Sequence, residues 1–169
     1  EPNVVLLDAG DEFQGTLFYT QFKGDVAAEV LDALDYTAFT PGNHEFDDGC
    51  GEFRRFVERT HVPVLAANLT LPPVPGGKPL TRPWIVVERQ GRKIGIVGLV
   101  NEETPFANDL TQTASEQVAA LQAQGVDAII CIATPGMDTA ALQTTLKDLG
   151  VTAIVDGSSS ASGQDTLYR

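Results

Sequence analysis

The chain has 169 residues, 43% of them hydrophobic and 20% charged, which excludes a disordered chain and suits one domain with a sizeable core. A formal charge of −12 excludes nucleic acid and anionic membrane surfaces as main partners. No apolar run approaches the ~20 residues of a membrane span, so no membrane partner is expected either.

In chain order, residues 3–7 read as a buried strand. Residues 24–35 carry apolar positions at helical spacing. Residues 37–40 read as a strand, 49–60 as a helix with Phe53, Phe56 and Val57 on one face, and 63–66 as a further strand. The Pro- and Gly-rich stretch 71–77 suits neither a helix nor a central strand and reads as a loop. Apolar runs at 85–88 and 93–97 flank Gln90-Gly91, a hairpin signal. Helices are expected near 113–124 and at 138–149, with strands at 127–132 and 151–155, so the last unit is a parallel βαβ. The Ser- and Gly-rich end, 157–169, reads as a loop or mobile tail of a single domain over 1–169. Glu1 suits the start of a mature or trimmed product, and no signal peptide is visible.

Two turns carry the chemistry. Gly10-Asp11 follows the apolar run Val4-Val5-Leu6-Leu7. Gly42-Asn43-His44-Glu45-Phe46-Asp47 follows Tyr36-Thr37-Ala38-Phe39-Thr40-Pro41. Parallel strands would set Asp11 beside Asn43 and His44 at their carboxyl ends, where open α/β sheets place their sites. Side-chain oxygens of Asp11 and Asn43 suit a divalent cation, and His44 suits a general acid or a group that stabilises a charged leaving group. Singly, each motif is an ordinary glycine turn whose Asn and Asp tolerate awkward backbone angles; their order and strand context favour a site.

Other residues have plainer readings. Asp8 is expected to fix the turn before Gly10. Phe13, Phe18, Tyr19 and Phe22 suit packing of a loop more than a base pocket. His61 reads as a solvated helix-end residue, Arg54 and Arg55 as solvated helix residues, and Cys131 as a small core residue. Cys50 and Cys131 have no metal-type spacing.

The run from Asn3 to Thr16, the turn from Gly42 to Asp48, the strand Val62-Pro63-Val64-Leu65-Ala66-Ala67-Asn68-Leu69, and Gly95-Ile96-Val97-Gly98-Leu99 with Glu103-Thr104-Pro105 resemble the 5′-nucleotidase branch of the calcineurin-like metallophosphoesterases. The resemblance implies a layered α/β sandwich with a mainly parallel sheet and an antiparallel hairpin. It implies that Asp11 and Asn43 occupy metal positions, for zinc, manganese or a similar divalent ion. It implies that His44 serves the transition state and that Asp47 orients it. It also implies a nucleotide or other phosphate ester as ligand, and a periplasmic or extracellular location.

The chain departs from that pattern in internal positions and at its start. Thr134 stands where the family places a His after the strand 127–132. Ser158 and Ser160 stand in the two His places of a Gly-His-x-His motif. An opening Asp-x-His motif and its strand are not supplied by these residues. The two His of the chain are His44 and His61. Neutral hydroxyls replace imidazole poorly around transition metals. Ser158-Ser159-Ser160 lacks a His base and a nucleophile-elbow pattern, so it reads as a loop. The expectation is a degenerate, catalytically inactive domain with a binding or structural role, holding metal weakly or not at all. The alternative is a metal-dependent phosphomonoester hydrolase using Asp11, Asn43 and His44, with further ligands supplied elsewhere. An unpaired sheet edge beside residues 3–7 would recruit a second copy or another segment such as the tail.

Overall fold

A computed structural model describes residues 3–73, 77–137, 139–157 and 166–167. Its elements are β1 (Leu7–Asp8), α1 (Leu17–Phe22), α2 (Asp25–Ala33), β2 (Ala38–Phe39), a 3-10 turn at His44–Phe46, α3 (Gly49–Arg59), β3 (Trp84–Arg89), β4 (Arg92–Leu99), α4 (Leu110–Ala123), β5 (Ala128–Ala133), α5 (Thr139–Asp148), β6 (Ala153–Asp156) and β7 (Thr166–Leu167). The order follows the expected alternation of strand and helix.

Two sheets result. β1 and β2 pair in parallel, Leu7 opposite Ala38. Single bridges extend this small sheet through Phe39 and Val64, then Leu65 and Arg82. The larger sheet runs β3-β4-β5-β6-β7. Its centre, β4-β5-β6, is parallel, while β3 and β7 are antiparallel at its edges. Gln90 and Gly91, with φ of 52° and 71°, make the tight β3–β4 turn; positive φ at both central residues matches the right-handed twist of the flanking strands.

Strand alternation sorts the core into layers. Ile129, Cys131 and Ala133 of β5 pack with Val118 and Leu121 of α4 and Leu142 and Leu146 of α5. Ile132 of β5 instead meets Ile96, Ala38 and Leu65 between the two sheets, with Val5 and Leu7 against them. Phe39 and Val64 on the other face of the small sheet pack with Ala28, Leu31, Phe53 and Phe56 of α2 and α3. The arrangement is therefore helices, sheet, sheet, helices, a layered α/β sandwich.

Several expectations need correction. The strand expected at 3–7 enters a ladder only at Leu7–Asp8, and that expected at 63–66 is reduced to bridges. Helix α1 has no counterpart among the expected elements, because Leu17, Phe18 and Phe22 are exposed and give no amphipathic pattern. Of the aromatic group, Phe13 and Tyr19 enter the core while Phe18 and Phe22 remain outside. Helix α4 starts at Leu110, three residues before the expected 113, because the Asp109 carboxylate accepts the Gln112 N–H at 2.7 Å and caps it. Within the tail, Thr166–Leu167 is a strand on β6 and not loop, so these two residues do not sit beside β1. The remaining tail residues, Ser158 and Ser160 among them, lie outside the described residues.

Phe56 links the aromatic layer. Its ring centroid lies 5.4 Å from Phe13 and 5.2 Å from Phe39, and its side chain is fully buried. Phe56→Ala should destabilise the fold by about 3–5 kcal/mol, the usual cost of such a cavity. Urea denaturation checks this; a loss under about 1 kcal/mol would mean that the layer collapses around the gap.

Candidate functional site

Asp11 and the Asn43–His44 turn lie beyond the carboxyl ends of β1 and β2, which are adjacent and parallel. Their approach depends on two glycines. A Cβ at Gly42 would overlap Asp11 Oδ1, and a Cβ at Gly10 would overlap the Gly42 nitrogen. Gly10 and Asp11 have φ of 85° and 63°. Glycine takes that conformation freely, whereas Asp11 is strained there by about 1–2 kcal/mol. Asp8 Oδ1 accepts the Gly10 N–H at 2.8 Å, fixing the turn as its position suggests.

Glu45 joins the two turns. It is fully buried. One oxygen accepts the N–H groups of Glu12 at 2.7 Å and Phe13 at 3.2 Å; the other accepts those of Asp11 at 3.0 Å and Gly42 at 2.6 Å. Burial pushes its pKa up, and the backbone donors oppose that shift. Because every partner donates, the donor set fits the ionised form. Sequence reasoning gave Glu45 no separate role. Its place in the Gly-Asn-His-Glu turn was visible, but the direction of its side chain was not.

Asp11 Oδ1 accepts the His44 N–H at 3.3 Å, and His44 Nδ1 lies 2.8 Å from Asp47 Oδ2. The structure thus brings together Asp11, Asn43, His44 and Asp47. Asn43 opens the 3-10 turn without a side-chain capping hydrogen bond, so its amide is not committed to the helix end. His44 is raised above the ordinary 6.5, chiefly by its hydrogen bond to Asp47; burial opposes this, and the Asp11 and Asp47 charges add to it. Glu12 is pushed up to about 7, first by desolvation and then by the charges of Asp8 and Glu45, although part of its side chain reaches solvent.

Other strands end nearby. A Cβ on Gly157, just after β6, would come within 2.8 Å of the Ala9 side chain and 2.9 Å of Pro135. The segments after β1, β5 and β6 therefore meet. Thr134 follows β5 and is fully buried; its Oγ1 accepts the Asn101 N–H at 2.9 Å. His61 is exposed, as expected for a helix-end residue.

Asp11 and Asn43 offer oxygen donors, the Thr134 hydroxyl is engaged in joining β4 to β5, and the described residues contain no group of three or more His, Cys, Asp or Glu placed to hold a metal ion.

Residues 1–155 match the family described as calcineurin-like phosphoesterase. The chain is 37% identical to a 5′-nucleotidase of Diplobatis ommata over 94% of its own length and 30% of that protein. It is 36% identical to a human 5′-nucleotidase, again over 94% and 30%. Its fold matches the crystal structure of a 5′-nucleotidase precursor from Thermus thermophilus with a TM-score of 0.80 at 33% identity, covering 92% of this chain and 32% of that one. The NAD nucleotidase of Haemophilus influenzae follows at a TM-score of 0.77 and 28% identity, covering 92% and 32%. The chain belongs to the calcineurin-like phosphoesterase family and spans under a third of the length of these relatives.

Two titrations test the electrostatics. Asp47→Asn should lower the His44 pKa toward 6.5, read by NMR titration. Because the folded value is raised, the stability His44 contributes is complete below 6.5 and is lost as pH rises through the folded value. Glu12 acts in the same direction at lower pH. Its raised folded pKa makes the parent lose stability as pH rises from 4.5 to about 7. Glu12→Gln should flatten that segment in denaturation curves at successive pH values; an unchanged slope would mean that Glu12 titrates normally.

Proposed function

We propose that this chain is a 5′-nucleotidase-like phosphoesterase domain that does not hydrolyse phosphate esters by itself and serves a binding or structural role. The observation that carries the reading is Thr134. At the family's His position it presents a buried hydroxyl that accepts the Asn101 N–H. Ser158 and Ser160 occupy the later His places by sequence. A bound two-ion centre would supply Lewis-acid clamping of phosphoryl oxygens and an activated water. Of its ligand set this chain contributes Asp11 and Asn43, and zinc or manganese would be held weakly. His44, oriented by Asp47, is the group that would hand a proton to a leaving oxygen.

A second reading rests on the meeting of Gly157 with Ala9. The segment after β6 arrives beside the turn that carries Asp11, where imidazoles from another chain or a further part of the protein could complete a hydrolase site. The relatives are named 5′-nucleotidases, which supports a nucleotide or related phosphate ester as the ligand class; a periplasmic or extracellular location is proposed with it. None of the described helices is long and apolar enough to cross a membrane. Among the described residues β1 pairs only with β2; a homodimer through its other edge is part of the proposal.

The unmodified chain should show negligible turnover of nucleoside monophosphates or an aryl phosphate, with or without zinc or manganese. Substituting His at 134, 158 and 160 together should raise metal affinity, measured as ions retained after dialysis, before turnover appears. Robust metal-dependent hydrolysis by the parent that disappears in Asp11→Ala would overturn the inactive reading and support the hydrolase.

A further inference from the structure

We propose that Glu45 is a positioning residue: its buried carboxylate holds the Gly10–Phe13 turn in the backbone conformation that sets the Asp11 side chain against the His44 turn. The inference rests on the reading of Asp11 and His44 as parts of one site, and it adds the element that joins them. Three observations support it. Glu45 accepts backbone N–H groups from Asp11, Glu12 and Phe13 on one segment and from Gly42 on the other, a span of more than thirty positions in sequence. Asp11 is a non-glycine residue at φ 63°, a conformation that Asp tolerates at some cost and that surrounding contacts help to hold. Around it, Glu45 accepts the Asp11 N–H, Asp8 accepts the Gly10 N–H, and Gly10 and Gly42 approach closely.

The geometry explains why an acid of this length is needed. Each oxygen takes two N–H groups, so the full carboxylate fork is used. A Gln at this place turns one acceptor into a donor that faces two N–H groups. An Asp keeps the charge but falls one methylene short. In either variant Asp11 would lose the contact that keeps its φ positive, and its carboxylate would leave His44.

The test separates positioning from simple stability. In folded, isotope-labelled chain at one fixed pH, the Asp11–His44 contact is read as the change in the His44 backbone amide shift on Asp11→Asn, since the Asp11 carboxylate accepts that N–H. That change is measured in the parent and again in the Glu45→Gln background, so that direct effects of the substitution at 45 cancel. If Glu45 positions Asp11, the change should fall by about half or more, and the Asp11 Cα and Cβ shifts should move away from the left-handed range. Glu45→Asp should give an intermediate result and serves as the second variant if Glu45→Gln does not fold. An unchanged Asp11 effect in a folded variant would overturn the proposal. So would loss of the fold in both variants, which would make Glu45 purely structural. If Asp11→Asn leaves the His44 amide unmoved in the parent, the pairing of Asp11 with His44 in one site falls, and the positioning role falls with it; a response in the parent that survives Glu45→Gln leaves the site reading standing and removes Glu45 alone.

Discussion

Glu45 carries a carboxylate into an interior that offers it backbone N–H groups and no cation. Burying an ion costs several kcal/mol even after relaxation, and a hydrogen bond to a charged group returns about 1.5–3 kcal/mol. A full set of donors is therefore what makes the burial tolerable. Those donors come from two chain segments, so satisfying one charge forces the segments into register. Asp11, held at positive φ, and the 3-10 turn of His44–Phe46 are placed by that requirement. Much of the site's geometry follows from one buried acid and two glycines that let backbones touch.

The two sheets supply the platform on which this joint sits. Gly98 of β4 has no room for a Cβ, which would overlap the Leu65 carbonyl oxygen and Thr40 Oγ1. The sheets can therefore approach closely near the carboxyl ends of β2 and β4. At the same end, Gly157 meets Ala9 and Pro135. Close packing of strand ends from both sheets brings residues distant in sequence to one place without any of them being in contact locally. Thr134 belongs to that packing: its hydroxyl fastens Asn101, and Asn101 Nδ2 in turn donates to the Pro135 carbonyl. A side chain so engaged serves the joint between β4 and β5 first.

What was legible in the sequence follows the range of the interactions. The β3–β4 hairpin is set by Gln90-Gly91 and its flanking apolar residues, all local, and it forms where expected. The helices α2 and α3 follow their apolar spacing, with ends within two residues of expectation. The neighbourhood of Asp11 and Asn43 could be read because parallel strands put their following turns side by side. The small sheet was overestimated, since Val64 and Leu65 make single bridges, to Phe39 of β2 and to Arg82, and Pro63 has no N–H to extend them. Glu45 could not be read at all. An acid in a glycine turn is ordinarily solvated, and only the tertiary arrangement of four N–H groups turns it inward.

Electrostatics give the last constraint. Asp8, Asp11, Glu12 and Glu45 share one end of the small sheet, and the ion pairs among the described residues, such as Lys23 with Asp48 and Arg55 with Glu52, lie with other acids. Like charges at this spacing disfavour one another's ionisation. Glu12 is pushed up to about 7, by desolvation first and then by the charges of Asp8 and Glu45, with its hydrogen bond to Asp8 adding to the shift. Glu45 cannot take up a proton without setting it against donors already in place. Glu45 and Glu12 thus differ: the backbone donors favour charge on the first, while desolvation and then the neighbouring acids oppose it on the second.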